Sequence, residues 1–334
     1  MNIVCVCPVK DEAAHLERFL GAASQWATQI IIADQGSTDG SVEIAARYPK
    51  VRLIRNESVQ YSEQERQKLL IDAAREVAAP RFIVALDADE LLTANVLESD
   101  EWERAQRAAP GTAIFFDWIN LLPGLKRGWT ARTGLPWAYV DDGRAHVGAP
   151  IHSPRVPWGQ SCAPLEMKEV KVLHYQFADW ELMKRKQMWY QCWELVNTPQ
   201  ARACDIHRRY HHMDAVPQST ICDVRDDWFE AYERAGIAAR AVRVQPTDTW
   251  DHRILDMLLT HGADRFRQLD IWSVDWRRRL VELRPAESGR ARELADPRRV
   301  HDRLMLSWMR RAHRRSPMRR HDRAIRKLVR PLGW

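Results

Sequence analysis

Short apolar runs alternate with amphipathic segments in the first third of the chain, and this alternation limits the fold more than any other feature. Apolar runs occupy residues 2–7, 29–33, 51–54 and 81–86, and the stretches after them carry apolar residues at helical spacing. Alternating strands and helices predict a mostly parallel sheet that is flanked by helices. We therefore expect a Rossmann-like α/β fold.

The pattern changes twice further along the chain. Residues 119–178 are rich in Pro, Gly and Trp, which indicates loops and small strands built over the sheet edge. Residues 179–334 are mostly polar and amphipathic, and arginines far outnumber acids beyond Pro297. We expect an α/β domain over residues 1–178 and a helical C-terminal extension over residues 179–334. Asp11 is expected to cap the first helix.

Composition indicates a soluble globular protein with access to anionic partners. The chain has 334 residues, of which 45% are hydrophobic and 29% charged, and its net charge is +6. The six cysteines are scattered, which favours a reducing compartment. A strand begins directly after Met1, and no apolar run reaches the roughly 20 residues of a membrane span. We expect a cytoplasmic protein that is at most peripheral to a membrane.

Three polar segments follow predicted strands, at residues 7–12, 34–39 and 87–90. The carboxyl ends of parallel strands meet at one edge of a sheet, which is where open α/β sheets bind ligands. We therefore expect these segments to form one site. No glycine-rich dinucleotide fingerprint and no P-loop follows the first strand.

Asp87 and Asp89 are the strongest candidates for metal binding. Two carboxylates one residue apart, on a turn that leaves a strand, can reach one hard cation such as Mg²⁺ or Mn²⁺. The alternative is that Asp87, Asp89 and Glu90 are solvated acids at the start of a loop. The sequence suggests no role for Glu90.

The segments "VCPVKDEAAHLERFL", "IIIADQGSTDGS" and "FIVALDADE" together resemble the opening of a family 2 glycosyltransferase with the GT-A fold. The resemblance covers roughly the first 95 residues. It implies that residues 1–178 form the catalytic domain, with a nucleotide-sugar half over about 1–118 and acceptor loops over about 119–178. It also implies an inverting, metal-dependent sugar transfer.

The resemblance assigns donor contacts to matching positions of this chain. Six residues would surround the nucleotide: Pro8, Val9, Glu12, Asp34, Arg66 and Asp87. Asp89 would bind the metal beside Asp87. Lys10, Asp11 and Gln35 depart from the family pattern, which leaves the nucleotide base open.

His174 is expected to complete the metal or diphosphate site, as a distant downstream residue often does in such enzymes. The alternative is a histidine buried in the core. Asp142 is the first candidate for the general base that deprotonates the acceptor, and Asp141 is the second. His146 and His152 lie in the same stretch. An Asp-Asp-Gly triplet is also an ordinary turn.

Two further patterns each have two interpretations. Cys204, His207 and His211 are spaced to share a helical face, but no second well-spaced pair accompanies them, and a structural zinc needs about four ligands. An ordinary polar helix surface is therefore favoured over a zinc site. Near the C-terminus, residues 300–312 form a basic amphipathic helix, with apolar residues at Val300, Leu304, Trp308 and Ala312. This helix could bind an anionic membrane surface or pack on the catalytic domain.

The sequence thus predicts a metal-dependent glycosyltransferase that uses a nucleotide sugar, with a UDP-sugar favoured, and a glycan, lipid-linked or small-molecule hydroxyl acceptor. Cell-envelope glycan or glycolipid synthesis would suit such an enzyme. A sugar nucleotidyltransferase and a catalytically silent, membrane-associated scaffold are the alternatives. We expect no nucleic-acid partner, because no recognised nucleic-acid module accompanies the basic stretch.

Overall fold

The computed structural model describes residues 1–57, 62–131, 134–148, 153–159, 162–198, 200–314, 320–329 and 334 of the chain. These residues form two compact units. The first unit contains residues 1–178 and 221–243, and the second contains residues 179–220 and 244–334. Residues 221–243 therefore pack with the first unit, although the sequence analysis placed them in the extension. His152 lies outside the described residues.

The first unit contains all twelve described strands. Their bounds are β1 Asn2–Val9, β2 Gln29–Asp34, β3 Val51–Arg55, β4 Arg81–Ala85, β5 Glu90–Leu92, β6 Ala113–Phe115, β7 Trp118–Leu121, β8 Arg127–Ala131, β9 Ala138–Val140, β10 Pro164–Glu166, β11 Val172–His174 and β12 Ile221–Asp223. Five helices accompany them: α1 Ala13–Trp26, α2 Ser41–Ala46, α3 Glu63–Ala74, α4 Asp100–Gln106 and, after the second unit's first helices, α7 Glu230–Arg234.

The strands form two sheets. The larger has the order β10-β6-β9-β4-β1-β2-β3, and β3, β2, β1 and β4 run parallel to one another. Strand β9 is antiparallel to β4 and β6. The smaller sheet has the order β12-β8-β7-β11-β5. The predicted α/β class, with a mostly parallel sheet and a helical C-terminal region, is confirmed.

Strand β1 shows how the sequence pattern places the helices on both faces of the larger sheet. Successive side chains of a strand point to opposite faces. Cys5 and Cys7 join a fully buried cluster with α1, whereas Val4 and Val6 join a second cluster with α3. The predicted apolar stripe of α1 is also buried, namely Leu16, Phe19, Leu20 and Ala23. The helices therefore cover both faces of the larger sheet.

The predicted helix cap at Asp11 is wrong. Helix α1 begins at Ala13, and its N-cap position is Glu12. The Asp11 carboxylate instead accepts a hydrogen bond from the Thr38 backbone N–H at 2.8 Å. Asp11 has a positive φ of 55°, so the chain turns sharply there before the helix starts.

The second unit is helical. Its helices are α5 Trp180–Asn197, α6 Ala203–Tyr210, α8 Asp248–His261, α9 Trp276–Leu283, α10 Val300–His313 and α11 Arg320–Val329. The buried face of α10 carries Asp302, Leu306, Met309 and Ala312. The predicted apolar stripe is therefore divided, because Val300 and Leu304 are exposed. Within the described ranges, no helix combines the length and apolar character that crossing a bilayer requires.

Candidate functional site

The carboxyl ends of β1, β2 and β4 lie next to one another. Val9 pairs with Asp34 across the β1–β2 ladder, and Val6 pairs with Ala85 across the β1–β4 ladder. The structure therefore brings the first, second and third polar segments to one edge of the sheet, as the sequence predicts. Pro8 and Val9 lie at the end of β1, and a single residue separates Asp87 from the end of β4.

Asp34 shapes the loop after β2. Its buried carboxylate accepts from the backbone N–H of Gly36 at 2.9 Å and of Ser37 at 3.2 Å. Gly36 has a φ of +74°, a conformation that glycine adopts without strain. The Glu12 backbone N–H donates to Ser41 Oγ at 2.9 Å, which joins the loops after β1 and β2. The two loops therefore form one bonded wall of the site.

Arg66 lies in the first turn of α3, half-buried, and α3 begins at this same edge after β3. Ser62 caps the helix by accepting from the Glu65 backbone N–H. The Glu63 carboxylate accepts from the Ser153 backbone N–H at 2.9 Å. This contact positions the segment that carries Arg155 at the same edge.

Glu90 has a clear structural role that the sequence did not reveal. It is fully buried and forms two hydrogen bonds with the guanidinium of Arg155, one of them at 3.1 Å. The same guanidinium donates to Asp87 Oδ2 at 2.9 Å, and the Asp87 backbone N–H donates to Glu90 at 3.0 Å. Burial raises the pKa of Glu90 above its usual value, although Arg155 acts in the opposite direction. Burial lowers the pKa of Arg155, but Asp87 and Glu90 outweigh burial and raise that pKa overall. Arg155 thus offsets the repulsion between two of the three acids.

His174 faces Asp89, the third acid. Its Nε2 lies 3.4 Å from Asp89 Oδ2, and its Nδ1 lies 2.7 Å from Asn120 Oδ1. Since an amide oxygen only accepts, Nδ1 donates to Asn120, and Nε2 is the ring nitrogen that faces the carboxylate. Trp118 stacks on the imidazole with centroids 4.4 Å apart. Neighbouring groups therefore fix both the tautomer and the orientation of His174.

The pair Asp89 and His174 fits a divalent cation. Ligands of about 2.1 Å at right angles on one ion lie about 3.0 Å apart, close to the observed 3.4 Å. A metal-binding histidine usually donates its second ring N–H to an oxygen, as His174 does to Asn120. The Asp89 side chain is 21% exposed, so this edge is open to substrate oxygens.

Asp141 and Asp142, the two candidates for the general base, lie at the edge of the sheet opposite to Asp87 and Asp89. Strand β9 runs antiparallel to β4, and the Asp141 backbone N–H donates to the carbonyl of Arg81, the first residue of β4. Strand β4 spans about 13 Å at ~3.3 Å per residue before the chain reaches Asp87. His146 also lies near Asp72, at the far end of α3.

Both carboxylates at that opposite edge are bound by arginines. Asp141 is buried and accepts from Arg75 at 2.9 Å and Arg81 at 2.8 Å. Burial raises the pKa of Asp141, but hydrogen bonds from Arg75, Gly143 and Arg81 outweigh it and lower the pKa. The Arg144 guanidinium lowers the pKa of Asp142 far below its usual range. Carboxylates with depressed pKa values are weak bases.

Several residues at the site gave no usable signal in the sequence. Glu90 was visible only as an acid next to Asp89, and Arg155 and Asn120 lie in segments with no motif. The tryptophans of the loops mostly pack on other side chains: Trp129 on Phe177, Trp158 on Phe115 and Trp118 on His174. A buried acid requires a compensating cation, but the sequence does not identify Arg155 as that cation.

A family comparison supports the resemblance that the three motifs suggest. The model for glycosyl transferase family 2 matches residues 4–99, which contain β1 to β5 and the acids at their carboxyl edge. Residues 4–99 thus match this family, and they make up less than a third of the chain. The predicted family is thereby confirmed. No curated protein sequence matches the chain.

Solved structures resemble the chain only loosely. A glucosyl-3-phosphoglycerate synthase from Mycobacterium tuberculosis, in complex with Mn²⁺ and UDP, is 18% identical over 37% of this chain and 44% of its own, with a TM-score of 0.24. S. aureus TarS 1-349 is 10% identical over 92% of both chains, with a TM-score of 0.35. A 4-diphosphocytidyl-2C-methyl-D-erythritol synthase is 14% identical over 76% of this chain and 97% of its own, with a TM-score of 0.26. The chain spans less than half the length of the first structures that it matches.

Proposed function

We propose that this family 2 domain transfers a sugar from a nucleotide-sugar donor to a hydroxyl acceptor, with inversion, in a reaction that needs Mg²⁺ or Mn²⁺. The observation that carries the proposal is the pair Asp89 and His174, with Nε2 directed at a carboxylate oxygen 3.4 Å away. This pair lies on the strand edge where open α/β sheets bind ligands.

The residues of the edge have separate roles in this proposal. Asp89 Oδ2 and His174 Nε2 would hold the cation, and a bound cation would neutralise the diphosphate that leaves the donor. Asp87 would face the ribose, since its side chain is 41% exposed and Arg155 holds its other side. Pro8, Val9, Glu12, Asp34 and Arg66 would line the nucleotide side.

Glu90 and Arg155 act by positioning. Glu90 is fully buried, so it anchors Arg155 without reaching the donor. The Arg155 guanidinium in turn donates a hydrogen bond to Asp87 Oδ2 at 2.9 Å, which fixes the position of that carboxylate. The site is then preorganised, because the acids keep their places before a metal or a substrate arrives.

A binding assay tests the proposal. Thermal shift is measured with UDP, GDP, dTDP and CMP sugars, with and without Mn²⁺, on the wild type, Asp89→Ala and the control Asp142→Asn. We expect one nucleotide class, with UDP favoured, to stabilise the wild type and the control only when Mn²⁺ is present. If the nucleotide sugar and Mn²⁺ stabilised Asp89→Ala as much as the wild type, Asp89 would not be a metal ligand.

A product assay separates the alternatives. A glycosyltransferase releases a nucleoside diphosphate, whereas a sugar nucleotidyltransferase releases pyrophosphate. The chain lacks a glycine-rich loop after β1, since residues 8–15 contain no glycine and two acids, which is unfavourable for a triphosphate. A silent scaffold would show no nucleotide-dependent shift at all. Supplying hydroxyl acceptors of the glycan, lipid-linked and small-molecule classes then identifies the acceptor.

We also propose that the protein is cytoplasmic and contacts an anionic membrane through α10. Val300 is 76% exposed and Leu304 is 64% exposed, and Arg303 lies between them in the sequence. Exposed apolar residues beside arginines suit the boundary of an anionic bilayer. Sedimentation with phosphatidylglycerol vesicles should retain the wild type and release Leu304→Glu. Equal sedimentation with phosphatidylcholine vesicles would contradict an electrostatic contribution.

A further inference from the structure

A second histidine–aspartate group lies within the helical unit. His207 and His211 are one turn apart on and just after α6, and their rings stack with centroids 4.0 Å apart. Asp270 Oδ2 lies 3.5 Å from His211 Nε2 and 3.9 Å from His207 Nδ1. One ligand atom from each of the three residues lies within 4.8 Å of those of the other two.

His211 is anchored in the same way as His174. Its Nδ1 lies 3.0 Å from the backbone carbonyl of His207, an oxygen that only accepts, so Nδ1 carries the proton. Its Nε2 therefore faces Asp270 Oδ2, which lies 3.5 Å away, as two ligands of one ion would.

His207 provides an independent observation. The side chain is only 3% exposed, and neither ring nitrogen has a hydrogen-bond partner among the described residues. Buried polar nitrogens without partners are costly and rare in native proteins. A metal ion at this position would bind Nδ1, the ring nitrogen of His207 that faces Asp270.

We propose that His207, His211 and Asp270 form a zinc site that stabilises the helical unit. Tetrahedral ligands at about 2.1 Å from Zn²⁺ lie about 3.4 Å apart, which matches the 3.5 Å between His211 Nε2 and Asp270 Oδ2. Two imidazoles and one carboxylate are ordinary zinc ligands. A small cavity lies beside His207 and is lined also by Cys204, Trp308, Met309 and His313.

Arg310 shares the Asp270 carboxylate. Its Nε donates to Oδ2 at 2.7 Å and its Nη2 donates to Oδ1. A carboxylate oxygen has two lone pairs, so Oδ2 can accept from Arg310 and still bind an ion. Arg310 then acts as the outer partner that orients the ligand. The competing account is a metal-free network in which Arg310 alone balances Asp270.

The test uses the full chain with His174→Ala, so that the sheet-edge pair cannot bind zinc. After dialysis against a chelator, Zn²⁺ is titrated by calorimetry and Co²⁺ by its visible absorption. We expect about one ion per chain, a tetrahedral cobalt spectrum and a higher Tm with zinc. Adding His211→Ala should abolish binding, whereas adding His301→Ala should preserve it, because His301 is 59% exposed on another face.

The outcomes distinguish this proposal from the proposed function. If the His174→Ala chain takes up no Zn²⁺ and no Co²⁺, the cluster is a metal-free network and the proposal is wrong. Zinc binding that survives His211→Ala would place the ion elsewhere and would also overturn it. Absence of metal-dependent sugar transfer in a chain with His174 intact that still binds zinc at this cluster would contradict the proposed function alone.

Discussion

The two edges of the larger sheet carry similar acidic sequences, "DADE" after β4 and "DDGR" after β9, but their surroundings are opposite. At the carboxyl edge, Asp87 is 41% exposed and Asp89 is 21% exposed. At the amino edge, Asp141 is fully buried between two arginines. Acids that remain accessible can bind a ligand, whereas acids that are fully paired hold loops together.

Strand direction decides between these two outcomes. Strand β4 runs parallel to β1, so the residues after it reach the ligand edge. Strand β9 runs antiparallel to β4, so the residues after it reach the start of β4. A sequence shows that an acidic turn follows a strand, but it does not show which way that strand runs within the sheet.

Glu90→Ala should have the largest effect on stability. It removes the buried partner of Arg155 and leaves that guanidinium without its main counter-charge, which should cost about 4 kcal/mol. Chemical denaturation measures the loss, with Glu98→Ala as the control because the Glu98 side chain is 78% exposed. If Glu90→Ala lost no more stability than Glu98→Ala, Glu90 would not anchor the carboxyl edge.

Asp141→Asn should destabilise the protein by about 3 kcal/mol while leaving nucleotide binding unchanged. Since the folded-state pKa of Asp141 is lowered, its stabilising effect is present above the ordinary pKa of about 4 and is lost as the pH falls through the folded-state value. The variant should therefore lose less stability than the wild type between neutral and acid pH. Impaired metal-dependent nucleotide binding by a folded Asp141→Asn would contradict the separation of the two edges.

Asn120→Ala should weaken Mn²⁺ binding about 10-fold, because His174 loses the oxygen that fixes its tautomer. Stability should fall less than in the two variants above. Calorimetric titration of Mn²⁺ in the presence of UDP measures the change. Asn197→Ala, at an exposed asparagine of α5, serves as the control. Unchanged affinity would show that the Asn120 contact does not tune His174.

Asp142→Asn should have the smallest effect, about 0.5 kcal/mol, because solvent reaches the ion pair with Arg144. Thermal and chemical denaturation should both show a minor change, and any sugar transfer should persist. A large loss of transfer in this variant would restore Asp142 as the general base and would contradict its position at the amino edge.

The sequence predicted the elements that follow from local pattern. The parallel strands and the stripe of α1 follow from periodicity, which is local. The convergence of residues 7–12, 34–39 and 87–90 follows from the general rule that the carboxyl ends of parallel strands lie at one edge of a sheet. The remaining features depend on pairing between distant segments. Arg155 reaches Glu90 across 65 residues of chain, and Asn120 reaches His174 across 54. Neither contact has a spacing that a single sequence can reveal.

The most direct test of the central claim is calorimetric binding of UDP to the wild type, Asp89→Ala and Asp141→Asn, each with and without Mn²⁺. The account predicts Mn²⁺-dependent binding to the wild type and to Asp141→Asn, and a loss of at least about 100-fold in Asp89→Ala, because a direct metal ligand contributes at least as much as its outer partners. Equal Mn²⁺-dependent affinity in Asp89→Ala and the wild type would show that the carboxyl edge is not the nucleotide site.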